Sequence, residues 1–524
     1  MTRSHICILT AIFTATVTCA TAGALETQLA DAARTGNVAA VRALLAKKAD
    51  VNAATPDSST PLHLAVKANK LEIVNLLIDA GANVKAETRY KITPLSLAAS
   101  NGNAAIIERL LKAGVDANST SEEGQTALMT AALTGKPDAV KVLVEAGANV
   151  NAVEPYKGQT ALMWAASEGN AAAADVLIAH GADVKAKSAA GFTPLLFAVR
   201  NDHANAAKTL LDHGANVNDA APDGTSALNM AVVNAYFDLA AFLLDRGANP
   251  NAPDPRGSAL HTLSWLRKPG SDGAAGVGNT GHAPPLPSGR ITALELAKKL
   301  LEHGADPNAR VSWKENTFGK EGGTARNPPN IQLGRHLLSY VGATPFYVAA
   351  KNGDVPYMKL LAEHGANPTL TTKTGITPLM VAAGLDYWEG ESPGPFTGVS
   401  EAERLEAVKL AVALGNDVNA HADFGDYAMT GDTAYTLLYY PLNIDDLLEL
   451  GVGDPRWSGS TPLIGAVVSG QPSIVQWLVD HGARADDRTK LGWTPLLVAE
   501  GVFFANAKKE FPPAAAILKK ALAH

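Results

Sequence analysis

The chain has 524 residues, 47% hydrophobic and 18% charged, with a net charge of −7. That composition excludes a disordered chain. The negative balance argues against a broad nucleic-acid or anionic-membrane surface, because either requires clustered Lys and Arg.

In chain order, residues 1–24 come first. MTRSH is a short basic start, ICILTAIFTATV an apolar run, and TCATAGA a small-residue tail. The pattern predicts a secretory signal peptide, with an apolar run too short to span a bilayer. Cleavage after Ala22 or Ala24 fits. Thr16-Val17-Thr18 is a poor match to the box that precedes a lipidated cysteine, so an anchor on Cys19 is not expected. Cys7 and Cys19 are the only cysteines. The cleaved chain therefore has no disulfide, thiolate metal site or cysteine nucleophile. No later apolar run approaches the ~20 residues of a membrane span. The chain is expected to be exported, either periplasmic or secreted.

Residues 25–253 repeat one phrase. STPLHLAVKANKLEIVNLLIDAGANV starts at Ser59, and related phrases start at Ile92, Gln125, Gln159, Phe192 and Thr225, at steps of 33, 33, 34, 33 and 33 residues. Thr60 suits a helix N-cap and Pro61 the first helical position. Leu62 and Ala65 are apolar at helical spacing. Asn69 marks a turn where later copies have Gly102, Gly135 and Gly169. Ile73, Val74, Leu76 and Leu77 form the stripe of a second helix, and Gly81 is its left-handed stop. One such pair cannot bury both faces, so neighbours must stack.

This phrase and period resemble the ankyrin repeat, whose hallmark is T-P-L-H-x-A at 33 residues. The resemblance runs from about Leu25 to the end and implies an all-α solenoid of about a dozen stacked helix pairs with short β-hairpin-like finger loops. LETQLADAARTGNVAAVRALLAKKADVN reads as the N-terminal cap. With the leader, the chain resembles an exported bacterial ankyrin-repeat protein.

Residues 254–430 keep the phrase but carry insertions at about 269–290, 311–341 and 385–400. The first separates GSALHTLSWLRK from ITALELAKKLLEHGADPN, the two helices of one repeat. The second enlarges a finger loop. The third again parts the helices of one repeat. Residues 431–524 read as degenerate and C-terminal capping repeats, with Leu447, Leu448 and Leu450 before Gly451 suggesting a shortened repeat around 421–457.

Few residues point to catalysis. Gly276, Gly278 and Gly281 spell G-x-G-x-x-G, but Lys268-Pro269-Gly270 and His282-Ala283-Pro284-Pro285 offer neither the strand nor the helix of a dinucleotide site. His180, His213, His303, His364 and His481 each precede a helix-stopping Gly, where an imidazole meets free carbonyls, so a metal row is not expected. His282, His336 and His421 lie in irregular segments without metal-site spacing. Asp423-Phe424-Gly425 lacks the companion motifs of a kinase, and Asp423, Asp426 and Asp432 lack calcium-loop spacing. No catalytic, cofactor-binding or metal-ligating residue is assigned, and no cofactor is expected.

The aromatics are uneven. Trp164 alone precedes residue 260, and Trp265, Trp313, Trp388, Trp457, Trp477 and Trp493 follow. In the regular half, Arg89-Tyr90-Lys91 and Glu154-Pro155-Tyr156-Lys157 place Tyr beside Lys on finger tips, a composition suited to protein recognition. The resemblance implies that partners touch finger tips and first helices. The candidates are then Lys67, Arg89, Tyr90, Lys91, Ser100, Tyr156, Lys157, Glu168, Phe192, Arg200 and Lys351, joined by Trp313, Tyr387 and Trp388 in the insertions.

The reading is a non-enzymatic protein–protein interaction scaffold of the cell envelope. It is expected to be monomeric, with an unidentified protein partner, no nucleic acid and no membrane span. One alternative is an enzyme or ligand-binding protein with a site built from the insertions. The other is a purely structural envelope component.

Overall fold

Thr-Pro starts a helix wherever the phrase occurs. The hydroxyls of Thr93, Thr126, Thr160 and Thr193 accept the N–H three residues on, satisfying a donor with no partner inside the helix. Pro61, Pro94 and Pro194 occupy the first helical position. Apart from those of the first and last pairs, each second helix ends at a glycine with positive φ, such as Gly81 at 90° and Gly304 at 85°, a conformation costly for residues with a Cβ.

The computed structural model describes residues 25–252, 257–267, 285–312, 341–385, 399–423, 458–504 and 507–523. The chain divides between Asp223 and Gly224 into two units. The first holds α1 (residues 25–35) with α2 (Val38–Ala46), α3 (Pro61–Lys67) with α4 (Leu71–Asp79), and α5 (Pro94–Asn101) with α6 (Ala104–Lys112). It continues with α7 (Ala127–Thr134) and α8 (Pro137–Glu145), α9 (Ala161–Ser167) and α10 (Ala171–Ala179), and α11 (Pro194–Arg200) and α12 (Ala204–Asp212). First helices stack on first helices, α3 through α11, and second on second. Leu62, Ala65, Ile73, Val74 and Leu77, all fully buried, show how one layer fills the space between its neighbours.

The second unit holds α13 (Ala227–Val233) with α14 (Phe237–Asp245), α15 (Ala259–Arg267) with α16 (Ala293–Glu302), and α17 (Pro345–Lys351) with α18 (Val355–Glu363). Then come α19 (Pro378–Ala383) with α20 (Glu401–Ala413), α21 (Pro462–Val468) with α22 (Pro472–Asp480), and α23 (Pro495–Gly501) with α24 (Pro512–Leu522). The only strands among the described residues, β1 (Val502–Phe504) and β2 (Ala507–Lys509), pair antiparallel between α23 and α24. The fingers are tight turns rather than full hairpins, carrying at most single bridges such as Thr120–Thr126 and Val153–Thr160.

At six junctions a side-chain amide joins one layer to the next. Asn118 Nδ2 donates to Gly147 O (3.0 Å), and Asn118 Oδ1 accepts from Asn149 N (2.7 Å). Asn52, Asn151, Asn251, Asn308 and Asn419 make the same pair of bonds. The donor and the glycine are 29 or 30 residues apart at Asn52, Asn118 and Asn151. They are 53, 57 and 63 residues apart at Asn251, Asn308 and Asn419. The layer spacing is thus preserved while the chain between layers lengthens.

The last of these distances joins two layers directly. Asn419 reaches Gly482 directly, Ala422 N donates to Ser460 O and Gly459 N to Ala422 O, and α19 and α20 pack on α21 and α22. These two layers are in direct contact. The shortened repeat expected around 421–457 lies almost wholly outside the described residues.

His63 departs from a simple cap. Its Nδ1 accepts from Thr60 N (3.1 Å) and lies 2.9 Å from Thr60 Oγ1, while Nε2 donates to Ile92 O in the next layer (3.1 Å). The Thr60 hydroxyl therefore serves the imidazole rather than a backbone N–H. His261 repeats the arrangement with Ser258 and with Ala343 O, 82 residues on. Burial pushes the His63 pKa below 6.5, against the Ile92 and Ala86 carbonyls and the Asp57 charge. Its contribution to stability is full above pH 6.5 and is lost as the pH falls through the lowered value of the folded state. His63→Ala is expected to cost the first unit about 2 kcal/mol. In hydrogen exchange this appears as weakened protection of α3 through α6, with the wild type drifting the same way at mildly acid pH.

Candidate protein-recognition surface

In the first unit the fingers form a linked row. Arg89 N donates to Asp57 O (3.1 Å) and Ala189 N to Lys157 O (2.8 Å), joining finger to finger. Tyr90 is 62% exposed and Tyr156 75%. Arg89 Nη2 donates to Tyr90 Oη (2.6 Å) with its guanidinium 4.9 Å from the ring centroid, an arrangement that holds the ring outward. Lys91 pairs with Glu87 at 2.8 Å.

Glu154 builds the other aromatic finger from within. Its carboxylate is buried and accepts from the backbone N–H of Tyr156 (2.8 Å), Lys157 (2.8 Å) and Gln159 (3.1 Å). Burial acts to raise its pKa. The N–H groups of Lys157, Gln159 and Tyr156 and the Lys157 charge outweigh it, leaving the pKa below the ordinary 4.5. Glu154 thus faces inward, whereas Tyr156 and Lys157 face solvent.

Behind the fingers, the first helices present two rows. Leu64, Leu97, Thr130 and Trp164 are half-buried at equivalent positions of successive layers, and Lys67, Ser100 and Arg200 are exposed. Glu168 is exposed at the end of α9, and Phe192 is half-buried, its ring 5.9 Å from that of Phe197. Leu133, Ile92 and Val153 are exposed on the same surface and escaped the sequence reading. Leu133 was available from repeat phase, since it occupies the position of Lys67 two layers later.

The second unit differs. Lys351, equivalent to Lys67, is only 5% exposed and is not without a partner, which overturns its selection as an open contact. Val348 and Val381, equivalent to Leu64, are buried in a cluster with Tyr347, Ile376, Met380, Leu385 and Ile464. Leu385 turns back over α21, where a Cβ on Gly465 would sit 2.9 Å from Leu385 N. Apolar packing thus closes the row that is open from α3 to α9 of the first unit; Phe197, the equivalent residue of α11, is also buried. Trp313, Tyr387 and Trp388 lie outside the described residues, as do the G-x-G-x-x-G, His282 and His336.

Buried polar groups gather where α15 ends. Arg267 Nε lies 2.6 Å and Nη2 2.9 Å from the Asp354 carboxylate. Tyr357 Oη donates to Leu260 O (2.8 Å) and Asn352 Nδ2 to Ser264 O (3.1 Å). Burial pushes the Tyr357 hydroxyl far above the ordinary tyrosine range. These groups hold helix carbonyls and each other, so they act as a clasp between layers. The return of the 269–290 insertion is fixed similarly, with Arg290 N and Ile291 N donating to Asp238 at 2.9 Å each.

The five helix-ending histidines behave alike. Nδ1 of His180, His213, His303, His364 and His481 lies 2.7–2.9 Å from the carbonyl four residues back. No group of three or more His, Cys, Asp or Glu suited to a metal occurs among the described residues. None of the described helices is long and apolar enough to cross a membrane.

Helix pairs stacked at this interval and riveted layer to layer define a helical repeat protein. A model of ankyrin repeats in three copies matches residues 18–88, 95–188 and 185–254, and a single ankyrin repeat matches 341–373 and 458–490. The chain belongs to the ankyrin-repeat family. Among solved structures, the human ASB11 ankyrin repeat domain is similar at 27% identity, covering 42% of this chain and 98% of that one, with a TM-score of 0.39. Ankyrin repeats are generally protein–protein interaction modules, and the fold is typically a non-enzymatic scaffold.

Two outcomes follow from this geometry. Glu154→Ala is expected to speed amide exchange at Tyr156, Lys157 and Gln159 by roughly tenfold, with α9 and α10 little changed. In the wild type this protection is full above pH 4.5 and is lost as the pH falls through the lowered pKa. Asp354→Ala leaves Arg267 without its anion and is expected to destabilise the second unit by about 3–5 kcal/mol, read as a lower urea midpoint for that unit alone.

Proposed function

We propose that this chain is an exported scaffold that binds a partner protein on the finger and inner-helix surface of its first unit. The observation that carries this reading is the contrast between equivalent positions. Leu64, Leu97, Thr130 and Trp164 are half-open to solvent, whereas Val348 and Val381 are closed. Preformed fingers with outward Tyr90 and Tyr156 add aromatic contact area at low ordering cost. The buried polar groups at the end of α15 are engaged with one another and with backbone carbonyls, which favours a scaffold over an enzyme built on the insertions. Export rests on the leader-like residues 1–24, and N-terminal sequencing of the mature protein tests it. An intact Met1 would count against it.

Affinity capture from the envelope fraction tests the binding surface. Tyr90→Ala/Tyr156→Ala is expected to lower capture by roughly tenfold or more, while deletion of residues 269–290 and 385–399 leaves it unchanged. The reverse pattern would move the binding surface to the insertions.

A further inference from the structure

Within the helices from α2 through α12, the charges of the first unit are sorted by face, although Arg34 of α1 pairs with Asp31 and the loop residues Lys47, Lys48, Lys85, Lys185 and Lys187 are also exposed without an ion pair among the described residues. On the second helices, cations meet acids: Arg42 with Glu72, Arg109 with Asp79, Lys112 with Glu108, Lys141 with Glu145 and Lys208 with Asp212. On the first helices and turns, Lys67, Lys70, Lys136 and Arg200 are exposed and have no ion pair among the described residues. On the fingers, Arg89 is spent on its own neighbour Tyr90, and Lys157 is exposed beside Glu154, whose carboxylate is engaged by backbone N–H groups. Exposed ion pairs add little stability, so folding does not explain the sorting. Unpaired cations on one face of a chain of net charge −7 keep their attraction for an approaching anion.

The cations also have a spacing. Lys67 ends α3 and Arg200 ends α11, the first and last of five stacked inner helices. Four intervals of about 10 Å make a track of about 40 Å, the reach of about twelve extended residues. Between the two ends the inner rows are apolar at Leu97, Leu133 and Trp164. Glu122, Glu123 and Glu168 are exposed along the same middle stretch and repel a continuous polyphosphate. We infer that this face takes an extended protein segment of about twelve residues, acidic at both ends and apolar between them. The inference rests on the reading of this face as the docking surface and adds the chemistry of what docks.

Fluorescence anisotropy with the full chain tests it, using labelled synthetic peptides of about 14 residues. One carries Glu at both ends around a Leu/Trp centre. Its relatives have the Glu moved to the centre, or replaced by Gln or by Lys, and a single-stranded poly(dT) of equal length is a further probe. The end-acidic peptide is expected to bind at least roughly tenfold tighter than the Gln form, with affinity falling as salt rises. Lys67→Glu/Arg200→Glu is expected to abolish that preference, while Lys112→Glu on the outer face retains it, both folded by circular dichroism. Equal or tighter binding of the Gln, Lys or centre-acidic peptide, lost in Tyr90→Ala/Tyr156→Ala, overturns the acidic pattern but keeps the face. Binding indifferent to both double variants overturns the face itself. Tighter binding of poly(dT) overturns a protein partner, and binding of no probe overturns the inference.

Discussion

The register of the stack is pinned by one interaction, the two-way hydrogen bond that a loop asparagine makes with the backbone of the next layer at six junctions. A helix pair of this size has two open apolar faces and no reason to persist alone. Apolar burial draws pairs together without setting their register, since it has no direction. The amide does set it, because Asn118 Nδ2 and Oδ1 engage an acceptor and a donor two residues apart in the following loop. A slip of one residue would leave both unmatched.

That register explains how the second unit tolerates long insertions. The amide bond fixes where a layer sits but not how much chain lies between the layers it joins. Asn251, Asn308 and Asn419 therefore make the same contact as Asn118 across much longer sequence separations. His261 and Ala343 extend the same logic to the buried edge, where the imidazole reaches the next layer past the whole of the added chain. Closing a longer surface loop costs only slowly growing entropy, so the layers withstand it.

With the layers fixed, the faces specialise. Outer helices carry paired charges, inner helices of the first unit carry cations without an ion pair among the described residues, and its fingers carry exposed tyrosines. In the second unit the corresponding inner positions are consumed by packing around Val348, Val381 and Leu385. The same repeat grammar thus yields an open position in one unit and a closed one in the other, since Lys67 is exposed and Lys351 at the equivalent position is buried.

Local contacts made much of this legible. Caps at Thr93 and Thr160, the stop at Gly81 and the imidazoles of His180 and His481 each bond within four or so residues, so residue type and spacing suffice to place them. About a dozen repeats could be counted for the same reason, and twelve helix pairs are described. What only the tertiary structure decided concerns residues whose partners lie thirty or more positions away. Lys351 looks as free as Lys67 until its layer is packed. Glu154 looks like a finger tip until its turn folds back on the carboxylate. Sequence determined the unit and its period because those are set by bonds along the chain. Tertiary structure determined which faces stay open, because exposure depends on what the neighbouring layers bring against them.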